Sequence, residues 1–186
     1  RKKESAGREV YLTLEQQTEL LNACRSSQWK GLYPLIYLLL LTGARRNEVA
    51  ALRWRQVDLR ACVISFQNTK NGNDHALKIS HEAMTIIHEW KGIQPLSNWV
   101  FPNPSDPRNY FRNFDTHWQK AKAQSNMPKD LRIHDLRHSA ATQMLQEGRS
   151  LEEIKQTLNH KSMSMTIRYA HHQKVITTVS NRALLN

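Results

Sequence analysis

Four positions on one short stretch hold the most chemically suggestive pattern in the sequence. His134, Arg137, His138 and Ala141 are spaced i, i+3, i+4 and i+7, which places them on one face of a helix. Leu136, Ala140 and Met144 fall on a different arc, the one expected to bury. Two imidazoles and a guanidinium on one face suit a phosphate. Arginine offers a planar fork to non-bridging oxygens, and histidine donates or transfers a proton. A solvated polar face is the plain alternative. A metal is a third reading, since His134 and His138 have i,i+4 spacing and His160, His171 and His172 could add ligands. No glutamate follows His134 as it does in a zincin helix, however, and Arg137 between the two histidines would oppose a dication. Neither a metal nor a cofactor is expected.

The 186 residues carry 27 Lys+Arg against 16 Asp+Glu, a formal net charge of +11. That excess points to a polyanionic partner, nucleic acid before any other, against the alternative of a protein that is merely basic. The length suits one domain, and a hydrophobic content of 39% can build a core, which sets a disordered tail aside. Cys24 and Cys62 are too few for a disulfide framework, so a reducing compartment is expected. The longest apolar run, 32–41, contains Pro34 and falls short of the roughly 18 residues of a membrane span. No charged-then-apolar signal segment opens the chain.

These residues need a scaffold, and the patterning supplies a mainly α fold with a small antiparallel β-sheet, an α+β class. Residues 1–10 read as a basic linker or tail. Thr13 and Gln16 have capping-box spacing for a helix over 14–25. A second helix is expected over 30–41 with Gly43 as its stop, and a short third over 47–52. Alternation at 62–66 and again at 76–79, around Asn71-Gly72, predicts a hairpin. Further helices are expected over 81–90, 108–124 and 134–147, with 92–107 as loop. Ser150 and Glu153 then cap a helix ending near Asn159, and a last one starts at Ser162 or Ser164.

At this point the motifs carry a resemblance. His134-Asp135-Leu136-Arg137-His138, then Leu158-Asn159-His160, then Tyr169, resemble the tyrosine recombinase (phage integrase) family. Upstream, Thr42-Gly43-Ala44-Arg45-Arg46-Asn47-Glu48-Val49 is similar to the segment bearing that family's first catalytic arginine. Asn68-Thr69-Lys70-Asn71-Gly72 is similar to its lysine-bearing β-turn. The blocks occur in family order from Leu12 to His172. The resemblance implies a catalytic domain over 11–172 with Tyr169 as nucleophile, forming a 3′-phosphotyrosyl link and releasing a 5′-hydroxyl. Arg45 and Arg137 would bind the scissile phosphate and His160 would hydrogen-bond to it. His134 would assist proton transfer at Tyr169, and Lys70 would protonate the leaving oxygen. The implied activity is site-specific recombination, without metal or ATP, in DNA integration.

The resemblance also implies partners: double-stranded DNA, further protomers in a tetramer on DNA, and DNA-bending accessory proteins, but no membrane. The implied setting is cytoplasmic and nucleoid-associated, in a bacterial or phage-infected cell. The family's N-terminal DNA-binding domain is expected to be absent from this chain, and the tail 173–186 to dock in cis or on a neighbouring protomer.

Elementary chemistry agrees with these roles. A tyrosine with pKa about 10 is scarcely ionised at neutral pH, and cationic neighbours favour its phenolate. Two preplaced guanidiniums meet the charge that develops on a five-coordinate phosphorus. Some choices stay open: Arg46 competes with Arg45, and Lys78 competes with Lys70. His138 reads as a supporting or core histidine. Tyr11, Tyr33, Tyr37 and Tyr110 sit in settings that suggest packing. Asn159 replaces the glycine usual before this histidine, at a position that calls for the left-handed conformation. A non-catalytic DNA-binding module, a type IB topoisomerase-like enzyme and a metal-dependent nuclease are the competing functions.

Overall fold

The computed structural model describes residues 10–67, 74–94 and 96–170. Helix α1, Leu14–Arg25, opens on the expected capping box: Gln16 N–H donates to Thr13 Oγ1 at 3.2 Å, and Thr13 N–H donates back to Gln16 Oε1 at 3.0 Å. Helix α2, Leu32–Thr42, is apolar on every side, so no face can be spared to solvent and it becomes the buried axis of the domain. Pro34 sits in its first turn, where no helical hydrogen bond is lost. Gly43 ends it in the left-handed conformation, φ +61°, and donates to Leu39 O at 2.9 Å. Helix α3 is Arg46–Ala50.

Gly43 is also a point of close approach. A Cβ there would collide with Leu158 Cδ2 and crowd Ala140 Cβ at 3.3 Å. Gly43→Ala is therefore expected to destabilise the domain by about 2–4 kcal/mol, from left-handed strain plus overpacking. Denaturant unfolding reads this directly, and a midpoint equal to the wild type's would refute the close-packed turn.

The predicted hairpin is present as β2, Val63–Phe66, antiparallel to β3, His75–Lys78, with Ile64 opposite Leu77 and Phe66 opposite His75. A two-residue strand β1, Val57–Asp58, adds a third member on the other side of β2. Helix α4, His81–Ile93, follows, with Ser80 Oγ accepting from Ala83 N–H. The stretch expected to be loop holds a second sheet, β4 Pro102–Asn103 paired with β5 Asp106–Tyr110. Residues 108–110 are therefore strand, not helix, and α5 begins only at Asp115, running to Gln124. Phe111 and Phe114 resemble the start of a helical stripe in the sequence. Instead they pack against Trp29 from the connection, with ring centroids 4.7 and 5.8 Å away.

Helices α6, Asp135–Gln146, α7, Leu151–Thr157, and α8, Ser164–Ile167, complete the described fold. The Ser150–Glu153 capping box forms as expected. Most buried apolar side chains gather around α2. A second cluster joins Ala140, Ala141, Met144 and Leu145 of α6 to Ile154, Leu158 and Tyr169. The arc Leu136, Ala140 and Met144 buries as predicted, and Arg137 on the adjacent face is buried too. The tail 173–186 lies outside the described residues.

Candidate active site

Arg137 is the structural centre of the site. Its Nη1–H donates to Gly43 O at 2.7 Å and its Nη2–H to Leu158 O at 2.6 Å. These carbonyls cap the C-terminal ends of α2 and α7, where the helix dipole is negative and carbonyls lack intrahelical partners. The guanidinium thus ties two helix ends together, and among the described residues these two bonds leave three of its five N–H donors for a ligand. Burial, with Arg45 second, pushes its pKa down to about 10, which still leaves it charged at neutral pH.

Tyr169 lies just beyond α8 and is buried. Its hydroxyl is 3.1 Å from His138 Nδ1. The imidazole of His160 lies nearly parallel to the phenol ring, 9° between planes and 6.4 Å between centroids. His160 Nδ1 is 2.8 Å from Thr166 Oγ1, which fixes the imidazole against α8. Asn159 holds φ +50°, the left-handed conformation expected of it, and so turns the chain to deliver His160. His134 occupies the N-cap position of α6, without a capping bond from its side chain, and meets His138 edge to face, centroids 5.9 Å apart. Burial raises the Tyr169 pKa, and Arg137 and Arg168 oppose that rise.

A cleft of about 650 Å³ opens beside this group, lined by Arg45, Arg46, Arg53, Arg55, Phe66, Gln67, Trp99 and His134. Arg45 precedes α3, and its guanidinium pairs with Glu48 at 2.8 Å. Its charge acts on Arg137, His134 and His160. Arg46 is committed elsewhere. It grips both carboxylate oxygens of Asp115 at 2.7 Å, donates to Arg112 O at 2.9 Å and stacks over Phe114. Lys70 lies outside the described residues, and the chain leaves them at Gln67, on the cleft wall. Lys78 points away from the inward face of the sheet, which carries Ile64, Phe66, His75 and Leu77.

His75 is a member of the neighbourhood that the sequence reading passed over. It stacks on Phe66, centroids 5.1 Å apart, and its Nδ1 is 3.2 Å from Asn159 Nδ2, so it links the hairpin to the turn before His160. The available signal was its alternation with Leu77 on the face shared with Ile64 and Phe66. Among the described residues no group of three or more His, Cys, Asp or Glu side chains is arranged to hold a metal ion. No helix among them is long and apolar enough to cross a membrane.

His75, His134, His138 and His160 all sit below the ordinary histidine range, with burial the first cause in each and Arg137 contributing to all four. His160 is pushed down to about 3. The unfolded chain takes up these protons near pH 6.5, whereas the folded chain refuses them. Their contribution to stability is complete above that pH and is lost progressively as the pH falls, for His160 toward about 3. The melting temperature is therefore expected to drop between about pH 7 and pH 5, with His160→Gln flattening the slope. A melting temperature that rises on acidification would show that these imidazoles are charged in the fold.

A mainly helical domain that packs a tyrosine against two histidines and an arginine, beside a cation-lined cleft, defines a class of protein equipped to handle phosphate. The phage integrase family profile matches residues 10–175, and the chain belongs to that family. It is 31% identical over 172 residues to the shufflon-specific DNA recombinase of Escherichia coli, covering 91% of this chain and 42% of that protein. To the tyrosine recombinase XerA of Saccharolobus solfataricus it is 30% identical over 157 residues, 84% of this chain and 50% of that one. The fold matches the solved catalytic domain of bacteriophage HP1 integrase with a TM-score of 0.70 at 26% identity, covering 88% of each chain. The chain spans about half the length of the curated relatives it matches.

Proposed function

We propose that this chain is the catalytic part of a site-specific DNA recombinase that cleaves and rejoins duplex DNA through a 3′-phosphotyrosyl intermediate, in recombination and integration. The observation that carries the reading is the Tyr169 hydroxyl held 3.1 Å from an imidazole, beside Arg137 and the parallel ring of His160. In this reading Tyr169 attacks the scissile phosphorus, and Arg137 and Arg45 carry the charge that develops on its equatorial oxygens. Preorganised cations are worth most where water is excluded, as around buried Arg137. His160, neutral at working pH and backed at Nδ1 by Thr166, offers its Nε2 side to a non-bridging oxygen. His134, on the cleft wall, assists the movement of the tyrosine's proton. Lys70 supplies a proton to the departing 5′ oxygen, which as a free alkoxide would be a strong base.

The names of the relatives, the net charge of +11 and the arginines of the cleft support duplex DNA as the partner. Residues 11–172 form the catalytic unit of this proposal, and exchange occurs in a tetramer on DNA, assisted by DNA-bending proteins. The segment 173–186 docks on its own or a neighbouring protomer. The protein acts inside the cell, on nucleoid or phage DNA.

The test is a duplex nicked beside the cleavage site, which traps the covalent step. A DNA adduct on a denaturing gel, formed equally with and without EDTA, is the expected result. Abolition by EDTA would favour a metal-dependent nuclease. No adduct under any condition would reduce the chain to a DNA-binding module.

A further inference from the structure

The Tyr169 hydroxyl has one hydrogen-bonding partner among the described residues, and that partner is His138. The motif resemblance gives the proton traffic to His134, one helical turn earlier. Yet His134 faces the cleft with Arg45 and reaches His138 edge to face. Resting on the reading of Tyr169 as nucleophile, we propose that His138 is the immediate proton acceptor in the cleavage step. As the phenol oxygen bonds to phosphorus, its O–H bond breaks and the proton passes to His138 Nδ1. The bond from phosphorus to the 5′ oxygen breaks, and that oxygen takes its proton from the acid assigned to Lys70. Rejoining reverses each transfer, the imidazolium returning its proton to Tyr169 as the phosphotyrosine opens.

The surroundings suit a base more than an acid. Around His138 stand His134, Asp135 and Arg137 of its own helix, Arg168 and Tyr169 beyond α8, and His160 from the turn after α7. Three of these are guanidinium or phenol groups and only Asp135 favours the protonated imidazole. Burial, followed by His134, Arg168 and Arg137, keeps His138 below the usual histidine range, so the neutral ring predominates at working pH. Acceptance at Nδ1 requires the ring proton on Nε2. A hydrogen bond of 3.1 Å to the nucleophile already lies within the reach a general base needs. His134, charged or neutral, tunes that base through its edge contact and is a positioning residue in this scheme.

Single-turnover cleavage of the nicked duplex tests the assignment. His138→Asn keeps a hydrogen-bond acceptor near the Nδ1 position but removes its basicity. It is expected to slow cleavage about a hundredfold or more near pH 7 and to make the rate climb with pH toward the tyrosine's own ionisation. His138→Ala is expected to recover activity with added imidazole, which a merely structural role would not allow. His134→Gln is expected to lose less and, by removing a group that holds His138 down, to shift the pH profile while keeping its dependence on a base. If His138→Asn melts below the assay temperature, His138→Gln replaces it in the same measurement. Cleavage by the folded His138 variants within a few-fold of wild type would overturn the inference while leaving Tyr169 as nucleophile. A wild type that forms no adduct would instead overturn the reading on which it rests.

Discussion

Tyr169→Phe is expected to abolish the covalent DNA adduct and to leave duplex affinity almost unchanged. The two effects separate because they arise from different parts of the molecule. Affinity comes mainly from lysines and arginines along the DNA backbone and falls steeply with salt. The single oxygen removed by the substitution contributes little to it. Chemistry has no substitute for that oxygen, since the other described tyrosines lie outside the group of Arg137, His138 and His160. The fold tolerates the change. The ring of Tyr169 packs in the cluster of Met144, Leu145, Ile154 and Leu158, and phenylalanine fills the same volume. The loss is one hydrogen bond to His138, about 1 kcal/mol. A denaturing gel and a band-shift assay on the same preparation decide the outcome. A persistent adduct would assign the nucleophile to another residue, and lost binding would make Tyr169 a structural residue.

Much of the site was legible because its parts are local. The capping boxes at Thr13 and Ser150, the glycine stop at Gly43 and the left-handed Asn159 each follow from a few neighbouring residues, and each is present. The helical face of His134, Arg137 and His138 needed only a period of 3.6. What the sequence could not display is partnership across distance. Arg45 and Arg46 are equally charged neighbours that only the motif offset from Thr42-Gly43 distinguishes, and Asp115, 69 residues on, is what occupies Arg46. His138 reads as a supporting histidine until Tyr169 is brought to it over 31 residues. The β4–β5 sheet was illegible for a different reason. Its strand Asp-Pro-Arg-Asn-Tyr lacks alternation and is held by tertiary bonds, Trp99 Nε1–H to Arg108 O and Ser97 Oγ–H to Pro107 O. Side chains from outside the strands thus do what patterning usually does.

Arg137→Ala is expected to fail twice, once in chemistry and once in the fold. The catalytic loss is on the order of 10²–10³-fold in the cleavage rate, the usual effect of deleting one preorganised charge-stabilising donor group. The structural loss follows from the two carbonyls at the ends of α2 and α7. Without the guanidinium, Gly43 O and Leu158 O are left buried with their partner gone, beside a cavity of side-chain size. Orphaned buried acceptors cost about 1–3 kcal/mol each, so the melting temperature is expected to fall by about 10 °C. Arg137→Lys separates the two roles. An ammonium retains the charge and satisfies one helix end, but it lacks the planar fork needed to serve both carbonyls and a phosphate together. It is expected to regain part of the melting temperature while cleavage stays down by more than about tenfold. An alanine variant that melts like wild type would show that the two helix ends do not depend on this guanidinium. A lysine variant with full activity would show that charge alone, without the fork, is what the phosphate requires.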